Sequence, residues 1–247
     1  MAVREYTHSL IYSTETLIFG ILALLLLAYY RGLGRTYVKY WMFCLVALSV
    51  HHLSLALEGV FYQQPVGSFI DISLALIRQI SYYFYFMFLM LGIYSATKQT
   101  KFHPRIITFG VIATIILSAI SVLPYGFDNS SVFNRFYLRE SLAAFIFGCG
   151  FIVAACYFYA ANIAHFSGKI LLFFCMLAGV RFLAFSFASI ISLTEDWFRH
   201  LIDCLVYVDL GIHTVLGFII LIWMQGAERH IADKAINRAK YLDEHDA

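Results

Sequence analysis

Long apolar runs constrain this chain more than any other feature of its sequence. A bilayer-spanning helix needs about 20 predominantly apolar residues. Seven runs of roughly that length occur, each bounded by polar or charged clusters, at about 9–30, 38–61, 69–96, 104–124, 139–165, 169–193 and 199–225. Hydrocarbon offers backbone amides no partner, so each run must be a helix that satisfies its own hydrogen bonds. The runs lack the alternating polarity of barrel strands. The sequence therefore predicts an all-α membrane protein, a bundle of seven transmembrane helices.

The composition agrees with this prediction and excludes several function classes. Hydrophobic residues make up 62% of the chain and charged residues 13%, whereas a soluble domain has roughly half apolar and about a quarter charged residues. The net charge of +2 and the scattered basic residues argue against nucleic-acid binding. The 5 cysteines lie within apolar runs without CxxC spacing, which disfavours zinc-ribbon and redox sites.

The distribution of lysine and arginine predicts the orientation of the bundle. Of the 17 basic residues, eleven fall in loops on one side of the predicted spans and four on the other. The richer side is the cytoplasmic one by the positive-inside rule. An odd number of spans then puts the N-terminus outside and the C-terminus in the cytoplasm. We expect residues 1–225 to form one membrane domain and residues 226–247 to follow it in the cytoplasm.

Ionisable side chains inside the spans are the candidate functional residues. Each costs about 2.5–3.5 kcal/mol to place at the centre of a spanning helix, so it needs a functional or structural reason. Nearly all of them map to the outer halves of the spans, which predicts a polar cavity open to the outer surface or just beneath it. The predicted ligand-binding residues combine these groups with two phenols on the third span: Glu15, His51, His52, Arg78, Tyr82, Tyr85, Arg181, Asp209 and His213.

Helical spacing also suggests a metal site. Asp209 and His213 are four residues apart and share a face, and a carboxylate one turn from a histidine can orient the imidazole or join it as a metal ligand. With His52 they form the predicted metal set. As an alternative to ligand binding, Arg78 and Arg181 have a structural role and pair with carboxylates of neighbouring spans. Asp203 and Glu140 lie near the interface, where we expect them to be solvated.

The C-terminal segment 226–247 is polar and favours a helix. Its sparse apolar residues fall on one stripe, and they are Ile231, Ala235 and Leu242. Such a stripe is typical of a two-stranded coiled coil and predicts a homodimer, although a solvated single helix has the same composition.

The end of this segment resembles a known family. Residues 238–247 read RAKYLDEHDA, which is similar to the helix that leads into GGDEF domains, the diguanylate cyclases of bacteria. In that family the helix typically ends in a His-Asp-x pattern, followed at once by Leu-Thr-Gly-Leu. The GGDEF signature itself is absent. The resemblance implies a MASE-type sensor domain of a bacterial inner membrane, truncated just before its output domain and without enzymatic activity of its own.

Three functions therefore stay open at the level of the sequence. In the first, a ligand binds in the outer cavity and moves the helix after residue 226, which regulates a diguanylate cyclase. In the second, Ser49, His52, Asp209 and His213 form a zinc site similar to that of the seven-span ceramidase and adiponectin-receptor hydrolases, although Asp209-x-x-x-His213 replaces that family's HxxxH pair. In the third, His51 or His52 binds haem opposite His213. A rhodopsin is disfavoured because its Schiff base needs a lysine in the last span, and residues 199–225 contain none.

Overall fold

The structure is a computed structural model. It describes residues 2–61, 65, 67–98, 102–126, 132–160, 166–191, 208, 211–226, 228–229, 232 and 236. For residues 2–8, 132–133 and 166–167 it describes the backbone alone. The predicted site residue Asp209, the near-interface Asp203 and the stripe residues Ile231, Ala235 and Leu242 lie outside the described residues.

Throughout these residues the regular structure is helical. The helices, in chain order, are α1 (Ala2–Leu33), α2 (Thr36–Val60), α3 (Phe69–Lys98), α4 (Pro104–Val122), α5 (Val132–Phe136), α6 (Leu142–Ala160), α7 (Phe166–Ile191) and α8 (Gly211–Gly226). A π-helical segment, Tyr137–Ser141, joins α5 to α6 without a break. The all-α class is confirmed in the part of the chain that the structure describes.

Six stretches of these helices are long and apolar enough to cross a membrane. They are Ser9–Leu33, Thr36–Val60, Phe69–Lys98, Pro104–Val122, Asn134–Ala160 and Gly168–Ile191. Their outer surface carries large apolar side chains such as Phe109, which is 73% exposed, and a surface of that kind suits contact with lipid. The multi-pass membrane character is thus confirmed. The predicted seventh span is described only as the shorter apolar helix α8, so the seven-span count and the orientation stay predictions.

Local sequence explains where the helices begin and end. Gly34 adopts φ +64° and ends α1, with its amide donating to the Tyr30 carbonyl at 2.8 Å. This is the left-handed conformation that glycine tolerates best at a helix C-terminus. At the start of α3, Ser68 Oγ accepts from the Asp71 amide, and the Asp71 carboxylate accepts from the Gly67 amide. Asp71 therefore caps a helix and does not contribute to the ion pairs described below.

Small residues allow the helices to approach closely. A Cβ on Gly92 of α3 would lie 2.3 Å from the Trp41 ring of α2, and one on Gly148 of α6 would lie 2.7 Å from Leu183 of α7. A Cβ on Gly217 of α8 would lie 2.6 Å from a methyl carbon of Leu22 on α1. Small side chains are what membrane helix interfaces favour. Gly148 thus allows α6 and α7 to approach closely, and α8 packs directly against α1.

Candidate ligand-binding cavity

Three histidines meet in the interior of the bundle. His52 of α2 lies with its ring 5.3 Å from the ring of its neighbour His51 and 5.8 Å from that of His213 on α8. On α1, the rings of Tyr12 and Phe19 stack on His52 at 5.9 and 5.3 Å. His52 is 3% exposed and His213 is 1% exposed. Two distant parts of the sequence therefore contribute to one buried cluster.

The His52 imidazole is the polar group of this cluster with the least satisfied hydrogen bonding. Both of its ring nitrogens are buried and have no hydrogen-bond partner among the described residues. A buried polar group without a partner costs free energy, and most such groups in proteins are bonded to protein or to ordered water. His52 lines a cavity, so a small polar molecule that reached the ring from that space would supply the missing hydrogen-bond partner.

The neighbouring His51 is held in a fixed orientation. Its ring stacks on Tyr82 of α3 at 4.4 Å with an angle of 18° between the planes. Its Nδ1 lies 3.2 Å from the backbone carbonyl oxygen of Arg78. A carbonyl oxygen only accepts, so Nδ1 carries the hydrogen, which leaves Nε2 as the acceptor of the neutral ring.

Next to these histidines the bundle encloses a cavity of about 110 Å³. Drug-sized ligands occupy pockets of about 300–1,000 Å³, so this cavity suits a small molecule or a few waters. Both charged and aromatic side chains line it, and the lining residues are Tyr12, His51, His52, Leu55, Arg78, Tyr82, Glu140, Ala144, Arg181, Phe182 and Phe185.

An arginine that lies between two carboxylates lines the cavity. Arg78 Nη1 lies 2.9 Å from Glu58 Oε2, and Nη2 lies 3.0 Å from Glu140 Oε1. The Arg78 side chain is 15% exposed, whereas the carboxylates are 29% and 35% exposed. The pairing of Arg78 with Glu58, one of the structural alternatives considered for this residue, is therefore present.

The expectation that Glu140 is merely solvated is wrong. Glu140 belongs to the π-helical segment, and a π turn carries one more residue per hydrogen-bonded ring than an α turn, which changes the direction of the side chains around it. Ser141 of the same segment accepts through its carbonyl oxygen from Ser186 Oγ of α7 at 2.9 Å. The segment thus rests against α7 while Glu140 pairs with α3.

A second guanidinium lines the cavity from α7. Arg181 is 7% exposed, and its Cζ lies 4.7 Å from the centre of the Phe182 ring and 5.1 Å from that of Phe185. Rings at these distances attract a cation through their negative faces. The aromatic rings therefore help to hold the guanidinium in the interior of the bundle.

The structure brings most of the predicted ligand residues together. Five of them line the cavity, namely His51, His52, Arg78, Tyr82 and Arg181. Two more, Tyr85 and His213, lie behind this wall with their rings 5.3 Å apart.

Glu15 is the described residue that the sequence places in the site and the structure places elsewhere. Its carboxylate accepts from Thr214 Oγ1 of α8, at 2.8 Å to one oxygen and 2.9 Å to the other. It therefore ties α1 to α8 and does not line the cavity.

Sequence reasoning missed six of the lining residues. Four are apolar or small, and one is a phenol near the start of α1: Leu55, Ala144, Phe182, Phe185 and Tyr12. Such residues look the same in the sequence whether they face lipid or a cavity. Glu140 did carry a signal, since a carboxylate at the start of a spanning run lies at the same end of the bundle as Arg78.

The described residues give limited support to a metal or haem centre. Among them, no group of three His, Cys, Asp or Glu side chains is arranged to hold a metal ion. Ser49, proposed for the zinc set, donates from Oγ to the Thr16 carbonyl at 2.9 Å and so joins α1 to α2. A cavity of about 110 Å³ is also well below the volume of a pocket for a large ligand, and haem is such a ligand.

Near the C-terminal end of α8, contacts are made to α2 and to Arg35, the residue before α2. Tyr37 donates from its hydroxyl to Glu228 Oε1 at 2.9 Å, and Arg35 Nε lies 3.5 Å from the same oxygen. The Trp223 ring packs edge-on against that of Trp41 at 5.0 Å. We call these residues, Arg35, Tyr37, Trp41, Trp223 and Glu228, the exit contacts.

Comparisons of the chain with protein-family models, with curated proteins and with solved structures found no match. What the chain does must therefore be argued from its own residues.

Proposed function

We propose that this chain is a membrane-embedded sensor domain. It binds a small ligand in the cavity and regulates a diguanylate cyclase domain that follows residue 247. In this proposal the chain has seven spans, with the N-terminus outside and the C-terminus in the cytoplasm of a bacterial inner membrane. It acts as a homodimer through the segment after residue 226.

The observation that carries the proposal is the position of α8. Its residue His213 packs against His52 at the cavity wall, and the same helix runs on to Trp223, which packs against Trp41. At 1.5 Å per residue, the helical path from His213 to the end of α8 at Gly226 is about 20 Å. A ligand that moves His213 therefore acts through one helix on the point where the segment after residue 226 begins.

The cavity supplies the differential contact that such a mechanism requires. A ligand shifts an equilibrium only if it binds one state better than the other. A ligand that reaches the buried nitrogens of His52 supplies the hydrogen bonds that they lack among the described residues. Filling it also changes the packing against His213, because the two rings are neighbours. The GGDEF-like ending of the segment supports a cyclase as the output.

The test is a fusion of residues 1–247 to a diguanylate cyclase domain, with cyclic di-GMP measured in cells. His52→Phe keeps a ring between Tyr12 and Phe19 but removes both nitrogens. Leu53→Ala, at a position that is 45% exposed, is the matched control. We expect His52→Phe to change output severalfold at equal membrane abundance and Leu53→Ala to leave it unchanged. Equal output from all three proteins would contradict the sensor function.

A further inference from the structure

A groove opens at the end of the bundle where α1 and α8 both end. Gln225 Nε2 lies 3.5 Å from Tyr29 Oη, so the two walls of the groove approach each other. Tyr29 and Leu33 are 37% and 39% exposed, so a molecule beside the bundle is able to enter. The groove has a volume of about 350 Å³, and its lining residues are Tyr29, Leu33, Met224, Gln225, Glu228 and Arg229.

The groove joins an apolar wall to a polar one. Tyr29, Leu33 and Met224 belong to the apolar stretches of α1 and α8, whereas Glu228 and Arg229 follow the end of α8. A tyrosine near the end of a span is typical of the membrane–water interface. The groove therefore lies at the depth where the acyl chains of a phospholipid meet its headgroup.

The charge at this end of the bundle favours an anion. In the sequence, the loops and the C-terminal segment on this side contain eleven basic residues and five acidic ones, so the balance stays positive when residues outside the described part are counted. Glu228 lies 2.9 Å from the Tyr37 hydroxyl and 3.5 Å from Arg35 Nε. Arg229 forms no ion pair with a described carboxylate. Arginine binds phosphate through two parallel N–H groups, so Arg229 is the cation of the groove that suits a phosphate.

We propose that an anionic phospholipid of the surrounding membrane binds in this groove. Its phosphate contacts Arg229, and an acyl chain lies along Tyr29, Leu33 and Met224. A soluble phosphate compound would use the cation but leave the apolar wall uncovered, which is why we assign the occupant as a lipid. The inference goes beyond the sensor function and needs neither that function nor a dimer.

The experiment is native mass spectrometry of the detergent-purified chain, with phosphatidylglycerol and phosphatidylcholine of the same acyl chains as probes. Both lipids contain a phosphate, but only phosphatidylglycerol carries a net charge. The variants are Arg229→Gln and Arg229→Lys. Arg105→Gln, which removes an exposed arginine at the same end of the bundle but outside the groove, is the control variant. Excess glycerol phosphate is the soluble competitor.

We expect saturable binding of phosphatidylglycerol that is tighter than that of phosphatidylcholine. One basic residue near a membrane surface changes lipid affinity by about fivefold. Arg229→Gln should therefore weaken phosphatidylglycerol binding by about fivefold and leave phosphatidylcholine binding unchanged. Arg229→Lys should keep most of the affinity, and Arg105→Gln should match the parent chain. Arg229 is exposed, so its replacement leaves the interior intact, and thermal unfolding curves check this.

Four results would overturn the assignment. Equal affinity for the two lipids would exclude the charge contact, and equal losses in Arg229→Gln and Arg105→Gln would make the attraction a property of the whole basic end. Displacement of the lipid by glycerol phosphate would assign the site to a soluble compound. Phosphatidylglycerol bound to monomers but absent from dimers would assign the groove to a second copy of the chain. The cyclase fusion plays no part in this test, so the lipid site and the sensor function are able to fail separately.

Discussion

Replacing Arg78 by glutamine should destabilise the bundle strongly, because it leaves two carboxylates without their cation. The side chain makes two charge-assisted contacts, at 2.9 and 3.0 Å. Each such bond contributes about 1.5–3 kcal/mol. The carboxylates are 29% and 35% exposed, so water recovers part of the loss, and about 3 kcal/mol is the expected cost.

Thermal unfolding of the detergent-purified chain measures this effect. In a chain of this size, 1 kcal/mol shifts Tm by about 2–4 °C, so Arg78→Gln should lower Tm by about 6–12 °C at a fixed scan rate. Arg78→Lys keeps the charge but not the forked geometry, so its Tm should lie between that of the parent and that of Arg78→Gln.

The triple variant with glutamine at positions 58, 78 and 140 is the decisive control. It has no unpaired charge, and removing a whole buried ion network is often less harmful than removing one partner. Its Tm should therefore exceed that of Arg78→Gln. A shift below about 1 °C for Arg78→Gln, or a triple variant less stable than the single one, would refute the reasoning.

Three further predictions concern packing, helix contacts and topology. Gly92→Ala places a methyl group against the buried Trp41 ring, 2.3 Å from Cδ1, and should cost about 1–3 kcal/mol in thermal unfolding. Gly32→Ala meets nothing within 4 Å and should leave Tm unchanged or raised. Thr214→Val removes the donor to Glu15 and should lower stability by about 1.5–3 kcal/mol, whereas Thr214→Ser should behave as the parent; equal Tm values for the two would contradict this. Alkaline phosphatase fused after residue 126 should be active and after residue 168 inactive, and the reverse pattern would overturn the predicted orientation.

The sequence predicted the helical membrane fold well because its signal is physical and local. Hydrocarbon requires continuous apolar helices, and the six described spans match the predicted runs to within a few residues at most ends. The early start of the fifth, at Asn134, was missed because Asn134 and Arg135 are polar and precede the apolar run that begins at 139. The π-helical segment Tyr137–Ser141, which contains Arg139 and Glu140, continues the helix there.

The candidate site was predicted less completely, because the sequence signal that marks a site residue is also only local. Charged groups inside a span are conspicuous in a sequence, so His51, His52, Arg78 and Arg181 were found. Which helices meet depends on tertiary packing, which spacing within one helix does not encode. Glu15 has the same local signal as Arg78, yet it bonds Thr214 of α8 rather than facing the cavity. Phe182 and Phe185 line the cavity without any local mark that separates them from lipid-facing residues.

In the proposed mechanism the state of the cavity is transmitted through α8 to the segment after residue 226. Disulfide cross-linking in native membranes measures this transmission, with single cysteines introduced at positions 231–242 of a cysteine-free fusion protein. Cross-linked dimers should peak at positions 231, 235 and 242 in the parent, and the pattern should change when His52 is replaced by phenylalanine. An identical pattern in both proteins, or no cross-linking at any position, would show that α8 does not carry the signal to a dimer.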